Sequence, residues 1–200
     1  NQAFAPYQTE QVEAGVKWDL GRFGGGFSVF DVKKPVGSVQ VIDDTTAVFV
    51  VLDQQRHKGA ELSLFGEAAR GLKLLGGLSW IDAELSASGK QAIGVPRHQF
   101  NIGTEWTPAA WPDLALNARL VRTASQWADA ANTFEVPAWT RLDVGARWNT
   151  ELAGTPLALR LRVDNLLGKD YWASAGGYPG ANYLVLGGPR ALSLSASVDF

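Results

Sequence analysis

The chain has 200 residues, 46% of them hydrophobic and 19% charged, with a formal net charge of -2. Its Lys and Arg are scattered, which leaves no electrostatic footprint for nucleic acid, and the absence of Cys excludes disulfides and thiolate chemistry. The longest purely apolar run, residues 47–52, is far short of the roughly 20 residues that a membrane-spanning helix needs.

The opening residues, NQAFAPYQTE, form neither a charged n-region nor an apolar h-region, and the chain contains no Met. Further sequence is therefore expected upstream. The first strand is marked by Val12, Ala14, Val16 and Trp18, apolar at every second position. A second, over residues 26–34, alternates less cleanly. Ala60, Leu62 and Leu64 mark a third; Leu72, Leu74, Leu78 and Trp80 a fourth; Phe100, Ile102 and Trp106 a fifth; Leu114, Leu116, Ala118 and Leu120 a sixth. In the seventh, Leu142, Val144, Ala146 and Trp148 oppose Arg141, Asp143, Gly145 and Arg147. In the eighth, Leu157, Leu159, Leu161 and Val163 oppose Arg160, Arg162 and Asp164, a separation that a helix cannot make into one stripe. The ninth sets Leu192, Leu194, Ala196, Val198 and Phe200 against Ser193, Ser195, Ser197 and Asp199. About nine strands are expected.

The connections alternate in length. Short turns are expected at 19–24, 66–71, 107–113 and 149–155, and long loops at 35–56, 84–96, 123–137 and 167–182. Short and long thus fall at opposite ends of the strands, the habit of outer-membrane barrels with short periplasmic turns and long outer loops. The final strand then runs inward. Trp18, Trp106, Trp111 and Trp148 flank short turns, and Trp80, Trp139, Trp172 and Tyr183 flank long ones. These are the positions of aromatic girdles at a membrane boundary. The polar alternate face suits a wet lumen, in which Arg and Asp stay solvated.

Several stretches resemble segments of the TonB-dependent siderophore receptors. Pro6-Tyr7 with EQVEAGVKWDL is similar to the family's E-x-G-x-K strand, and FSVFDVKK to the strand after it. KGAELSLFGEAARGLKLLGGLSWIDAEL matches its Gly-x-Glu hairpin, and GVPRHQFNIGTEW its G-V-P-x-H-x-x-N-L segment. NTFEVPAWTRLDVGARW, RVDNLLGKDYWAS and GGPRALSLSASVDF resemble its V-P-x-[YW], N-L-x-x-K-x-Y and terminal G-x-P-R segments. In order and spacing they span nearly the whole chain.

The resemblance implies an all-β fold: an antiparallel transmembrane β-barrel wall, residues 1–200 being about nine C-terminal strands of a barrel of about 22. The plug domain and the earlier strands are then absent here. It implies a receptor and transporter for ferric siderophores in the bacterial outer membrane, energised through the TonB complex via the missing N-terminal region, and no enzyme. Iron would travel as a siderophore chelate, so no cofactor and no protein metal ligand are expected. The implied partners are the siderophore, TonB, outer-membrane lipid and the barrel-assembly machinery. Haem or cobalamin as cargo, a self-contained small barrel with a structural or adhesive role, and a soluble β-rich binding domain remain open alternatives.

Candidate ligand contacts are the loop and rim aromatics Trp127, Trp172, Tyr178 and Tyr183, able to stack on a chelator, and the cations Arg122 and Arg190, able to complement a negative complex. Phe200 ends an alternating strand and resembles the assembly signal of outer-membrane proteins. Asn165, Lys169, Asp170 and Tyr171 read as a strand end and loop entry. His57 and His98 have no convergent ligand partners, His98 sharing the parity of Phe100 and Ile102. No nucleophile, base and orienting group stand out together. Gly24-Gly25-Gly26, with no phosphate-loop continuation, suits a backbone bend.

Overall fold

Period two in the sequence becomes register in the computed structural model, which describes residues 6–178 and 181–198, with the side chains of Ser38, Leu52, Gly177, Tyr178 and Ala181 outside the description. One antiparallel sheet carries nine strands in the order β1-β2-β3-β4-β5-β6-β9-β10-β13. They are β1 (Glu10–Asp19), β2 (Phe23–Asp43), β3 (Thr46–Ala69), β4 (Leu72–Leu85), β5 (His98–Trp106), β6 (Leu114–Thr123), β9 (Trp139–Leu152), β10 (Thr155–Asp164) and β13 (Ala191–Val198). Two small hairpins stand apart, β7 (Gln126–Trp127) with β8 (Glu135–Val136), and β11 (Trp172–Tyr178) with β12 (Ala181–Leu186). The sheet is open: among the described residues, β1 and β13 each pair on one side only.

Cross-strand partners share a face, so the register sorts the wall into two surfaces. Val16, Phe27, Leu62, Leu78 and Phe100 form one directly paired row that continues into Arg122 and Thr140. A second row runs Trp106, Leu116, Ala146, Leu161, Leu194. The first row starts near the short-turn rim of β1 and ends near the long-loop rim of β6, which is the stagger of tilted strands in a barrel wall. The opposite face pairs Gly15, Ser28, Glu61, Ser79 and Gln99, and farther along Arg147 with Arg160 and Arg162 with Ser193.

The apolar face is not packed against a second layer. Leu192 and Leu194 are 72% and 77% exposed and Val12 76%, which removes the soluble-domain alternative, since that reading needs these rows buried against each other. Trp18, Trp106 and Trp148 occupy this face at the short-turn rim and Trp80 lies at the other. From Leu72, opposite Trp106, to Trp80 is eight residues, about 26 Å along the strand and roughly 20 Å in height at the usual barrel tilt. An apolar band about 25 Å tall between girdles is the dimension of a lipid-facing wall.

Three expectations need correction. Residues 35–56 are no loop: β2 and β3 continue through them to a tip at Asp43 and Thr46, with small register shifts at Val36/Gly37 and Val41/Asp43. The β-branched residues Val36, Val39, Val41, Val48, Val50 and Val51 keep the ladder going where Pro, Gly and Asp suggested its end. Gly24, Gly25 and Gly26 lie inside β2 rather than at a bend; Gly25 faces Trp18, whose ring, with Ser63 O, fills the place of a side chain. Trp139 is not a girdle residue, because it shares the parity of Arg141 and Asp143 on the polar face and is 9% exposed. Phe200, the proposed assembly signal, lies outside the described residues.

Candidate functional site

Among the described residues, a cluster of buried side chains lies in the loops beyond the long-loop rim. Ala128, Val136 and Ala175 are buried together, with Leu184 packed against them, so residues of the β7–β8 and β11–β12 hairpins share one small core. Polar contacts join a third segment, the loop after β4. Gly94, at φ +70, donates its N–H to Trp127 O at 2.9 Å. Gln91 N donates to Asn132 Oδ1 at 2.8 Å while Asn132 Nδ2 donates to Gln91 O at 3.0 Å. Lys90 Nζ reaches Ala131 O at 2.8 Å, and Ala175 N approaches Gln126 Oε1 at 3.5 Å.

Asp129 organises the tip of the β7–β8 hairpin. Its carboxylate accepts the backbone N–H groups of Phe134 at 2.7 Å and Thr133 at 2.9 Å and the Thr133 hydroxyl at 2.9 Å. These donors, the Phe134 N–H foremost, hold the carboxyl below the usual range. A carboxyl depressed in the folded state stabilises fully above its unfolded pKa of about 4 and loses that contribution as pH falls through the lower folded value. Hydrogen exchange at Thr133 and Phe134 is therefore expected to be constant from about pH 5 to 8, once corrected for intrinsic rates, and to lose protection below about pH 4. Asp129→Asn should remove that acid step.

The loops attach to the wall through a charged cluster on the polar face. Arg141 donates to Asp143 Oδ1 at 2.7 Å, Asp164 Oδ1 at 3.1 Å and the Tyr171 hydroxyl at 3.3 Å. Arg162 also binds Asp164, at 2.7 Å. The Tyr171 ring lies against Trp139, centroids 4.3 Å apart and planes at 38°. Asn165, 1% exposed with φ 51, closes the turn after β10. Its Nδ2 donates to Lys169 O at 2.9 Å and Gly188 O at 3.0 Å, and its Oδ1 accepts Lys169 N at 2.9 Å. Asn165 and Tyr171 thus sit at the strand end and loop entry, where the motif resemblance put them.

Beside this cluster is a cleft of about 350 Å³ lined by Trp139, Lys169, Asp170, Tyr171, Trp172 and Leu186, together with Pro137 and Ala138. Trp172, 39% exposed, stands at it with the exposed Lys169. Tyr183, 56% exposed, lies across Gly176 of the paired strand. Arg190 is exposed and its guanidinium covers Gly168. Trp127 is half-buried in β7. Arg122 projects instead from the apolar-row parity, where it donates to Thr140 Oγ1 at 2.9 Å. The Tyr178 side chain lies outside the described residues. His98 sits opposite Trp80 at the rim, and His57 Nε2 is 3.2 Å from Gln55 Oε1.

The cleft and the exposed loop aromatics, with cations close by, can hold an aromatic or anionic small molecule by stacking and charge. The sequence reading missed Gln91, Gln126 and Asn132, which stitch the loops together. Asp129 and Asn132, turn-forming residues three apart, were the one local signal.

A family model described as TonB dependent receptor-like, beta-barrel matches residues 1–166. The ferrichrome receptor FcuA of Yersinia enterocolitica is 35% identical over 198 residues, which cover 96% of this chain and 26% of that protein. The crystal structure of BauA, the ferric preacinetobactin receptor from Acinetobacter baumannii, superposes with a TM-score of 0.84 at 34% identity over 98% of this chain and 30% of that one. The siderophore receptor PiuA of the same species gives 0.76 at 25% identity, covering 94% of this chain and 28% of that one. The chain thus spans about a quarter of the length of the ferrichrome receptor FcuA and of the curated PiuA receptor.

Proposed function

Because this chain belongs to the TonB-dependent receptor β-barrel family, whose members are outer-membrane transporters rather than enzymes, we propose that it forms wall and outer loops of a receptor that captures ferric siderophores. The observation carrying this reading is the family match over residues 1–166 on a wall with one lipid-type face and one polar face. The relatives' names, for ferrichrome, for ferric preacinetobactin and for a siderophore, support the cargo class.

In this reading residues 1–200 are the C-terminal share of a barrel of about 22 strands, and the plug and earlier strands belong to the rest of the protein. The apolar face meets lipid, and Phe200 serves the barrel-assembly machinery. TonB supplies the energy through the N-terminal region. Trp127, Trp172, Tyr178, Tyr183 and Arg190 offer stacking and charge to the chelate from the loops. Arg122, on the outward row, lies at the membrane surface instead. Iron is cargo held by its chelator, not a cofactor of the protein.

Deletion of the gene for the full-length protein should abolish growth on at least one ferric siderophore as sole iron source, with ferrichrome tried first, and complementation should restore it. Unchanged growth on every siderophore offered, with loss of haem or cobalamin uptake, would overturn the cargo assignment.

A further inference from the structure

We infer that Asn132 is a positioning residue that ties the loop 84–97 to the loop 123–138 and so, with Ala175 packed on Ala128 and Val136, orders a single preformed platform. Its functional consequence rests on the reading of these loops as cargo-facing; its structural content does not.

Long surface loops ordinarily have few partners and open independently. These do not. Residues 90, 91 and 94 bond to residues 131, 132 and 127, while Ala175 packs with Ala128 and Val136 and approaches Gln126. Asn132 holds the first two segments as a strand partner would, giving a donor and an acceptor to the backbone of one residue, Gln91. It does so at φ 54, a conformation that Asn and Asp tolerate and most residues do not. Two demands therefore meet at one position. Gly satisfies the backbone alone, Gln the amide chemistry alone, and Asp the backbone and the acceptor but not the donor.

The β2–β3 ribbon meets this assembly at its base, through Ser86 N to Gln54 O at 2.8 Å and Ala87 N to Asp53 Oδ1 at 3.0 Å. A platform already ordered spares the cargo the entropic cost of ordering it.

The test is hydrogen exchange on the full-length receptor in outer-membrane vesicles without cargo, with the amides of β9 and β10 as internal controls. In the unaltered protein, Gln91, Gly94 and Ala175 should be protected together. Asn132→Gly should speed exchange at least about tenfold at Gly94 and Ala175, which Asn132 does not touch, and leave the strand amides unchanged. Asn132→Asp should recover part of the protection, whereas Asn132→Gln should not. Loosening confined to Gln91 and residues 129–134 would overturn the inference, as would unprotected amides in the unaltered protein. Ferrichrome binding, measured in parallel, should weaken in the Gly variant and partly recover in the Asp variant; a receptor that binds no ferrichrome but keeps the exchange pattern refutes that cargo and leaves the platform standing.

Discussion

Ile102→Arg is expected to destabilise the wall by about 2–4 kcal/mol, the cost of an arginine facing lipid near the bilayer midplane. Ile102 belongs to the outward row, paired with Gly76 on one side and Leu120 on the other. It lies four residues from Trp106 at the short-turn rim and four from His98, which pairs with Trp80 at the opposite girdle. No position on β5 is farther from both boundaries, so the guanidinium cannot reach water at low cost. The comparison is Gln99→Arg. Gln99 is on the same strand but on the polar face, exposed and bordering a trough lined by Gly15, Ser28, Ser63 and Ser79, and its replacement should cost within about 1 kcal/mol. Urea unfolding of the full-length receptor in phospholipid bilayers, followed by tryptophan fluorescence, reads both. Equal tolerance of the two changes would mean that the apolar face does not meet lipid.

The wall was legible because strand alternation is a local property. Each apolar residue faces outward whatever its neighbours do, so period two from Val12 to Val198 predicted nine strands, and nine pair in the main sheet. The ribbon at 35–56 was misread because Pro35, Gly37 and the aspartates at its tip resemble loop composition. Its valines still alternate well enough for the ladder to persist past the last partner in β1, at Lys33. Trp139 was misplaced for a different reason. Position near a strand end does not say which face a ring takes, and parity with Asp143 would have put it on the polar side beside Tyr171. Of the loop assembly, only the turn at Asp129 and Asn132 left a local signal. Gln91 and Asn132 are 41 residues apart and Gln126 and Ala175 49 apart, and no periodicity couples such positions. Arg122 and Arg190 could be recognised as rim cations, but the direction each points came only with the register of β6 and the packing on Gly168.

Asn165→Ala should detach the last long loop while leaving the final strand paired. The amide of Asn165 serves Lys169 N, Lys169 O and Gly188 O, and its backbone N–H donates to Asp143 Oδ1 at 2.8 Å. Truncation leaves Lys169 N, Lys169 O and Gly188 O without the amide, while the N–H to Asp143 stays, and puts alanine at φ 51, together about 3–5 kcal/mol. Asn165→Gly keeps the left-handed backbone and loses the amide, so the difference between the two variants isolates the backbone share, about 1–2 kcal/mol. The strand itself has other support: β13 pairs with β10 from Leu157↔Val198 to Asp164↔Ala191, a ladder that does not pass through Asn165. Brief protease treatment of intact cells should therefore cut residues 165–190 in the alanine variant and spare the parent, while the barrel keeps its heat-modifiable mobility on electrophoresis. Loss of the folded barrel band would show instead that Asn165 is needed to place β13. Equal protection of both proteins would show that Arg141, Asp164 and Tyr171 hold the loop without it.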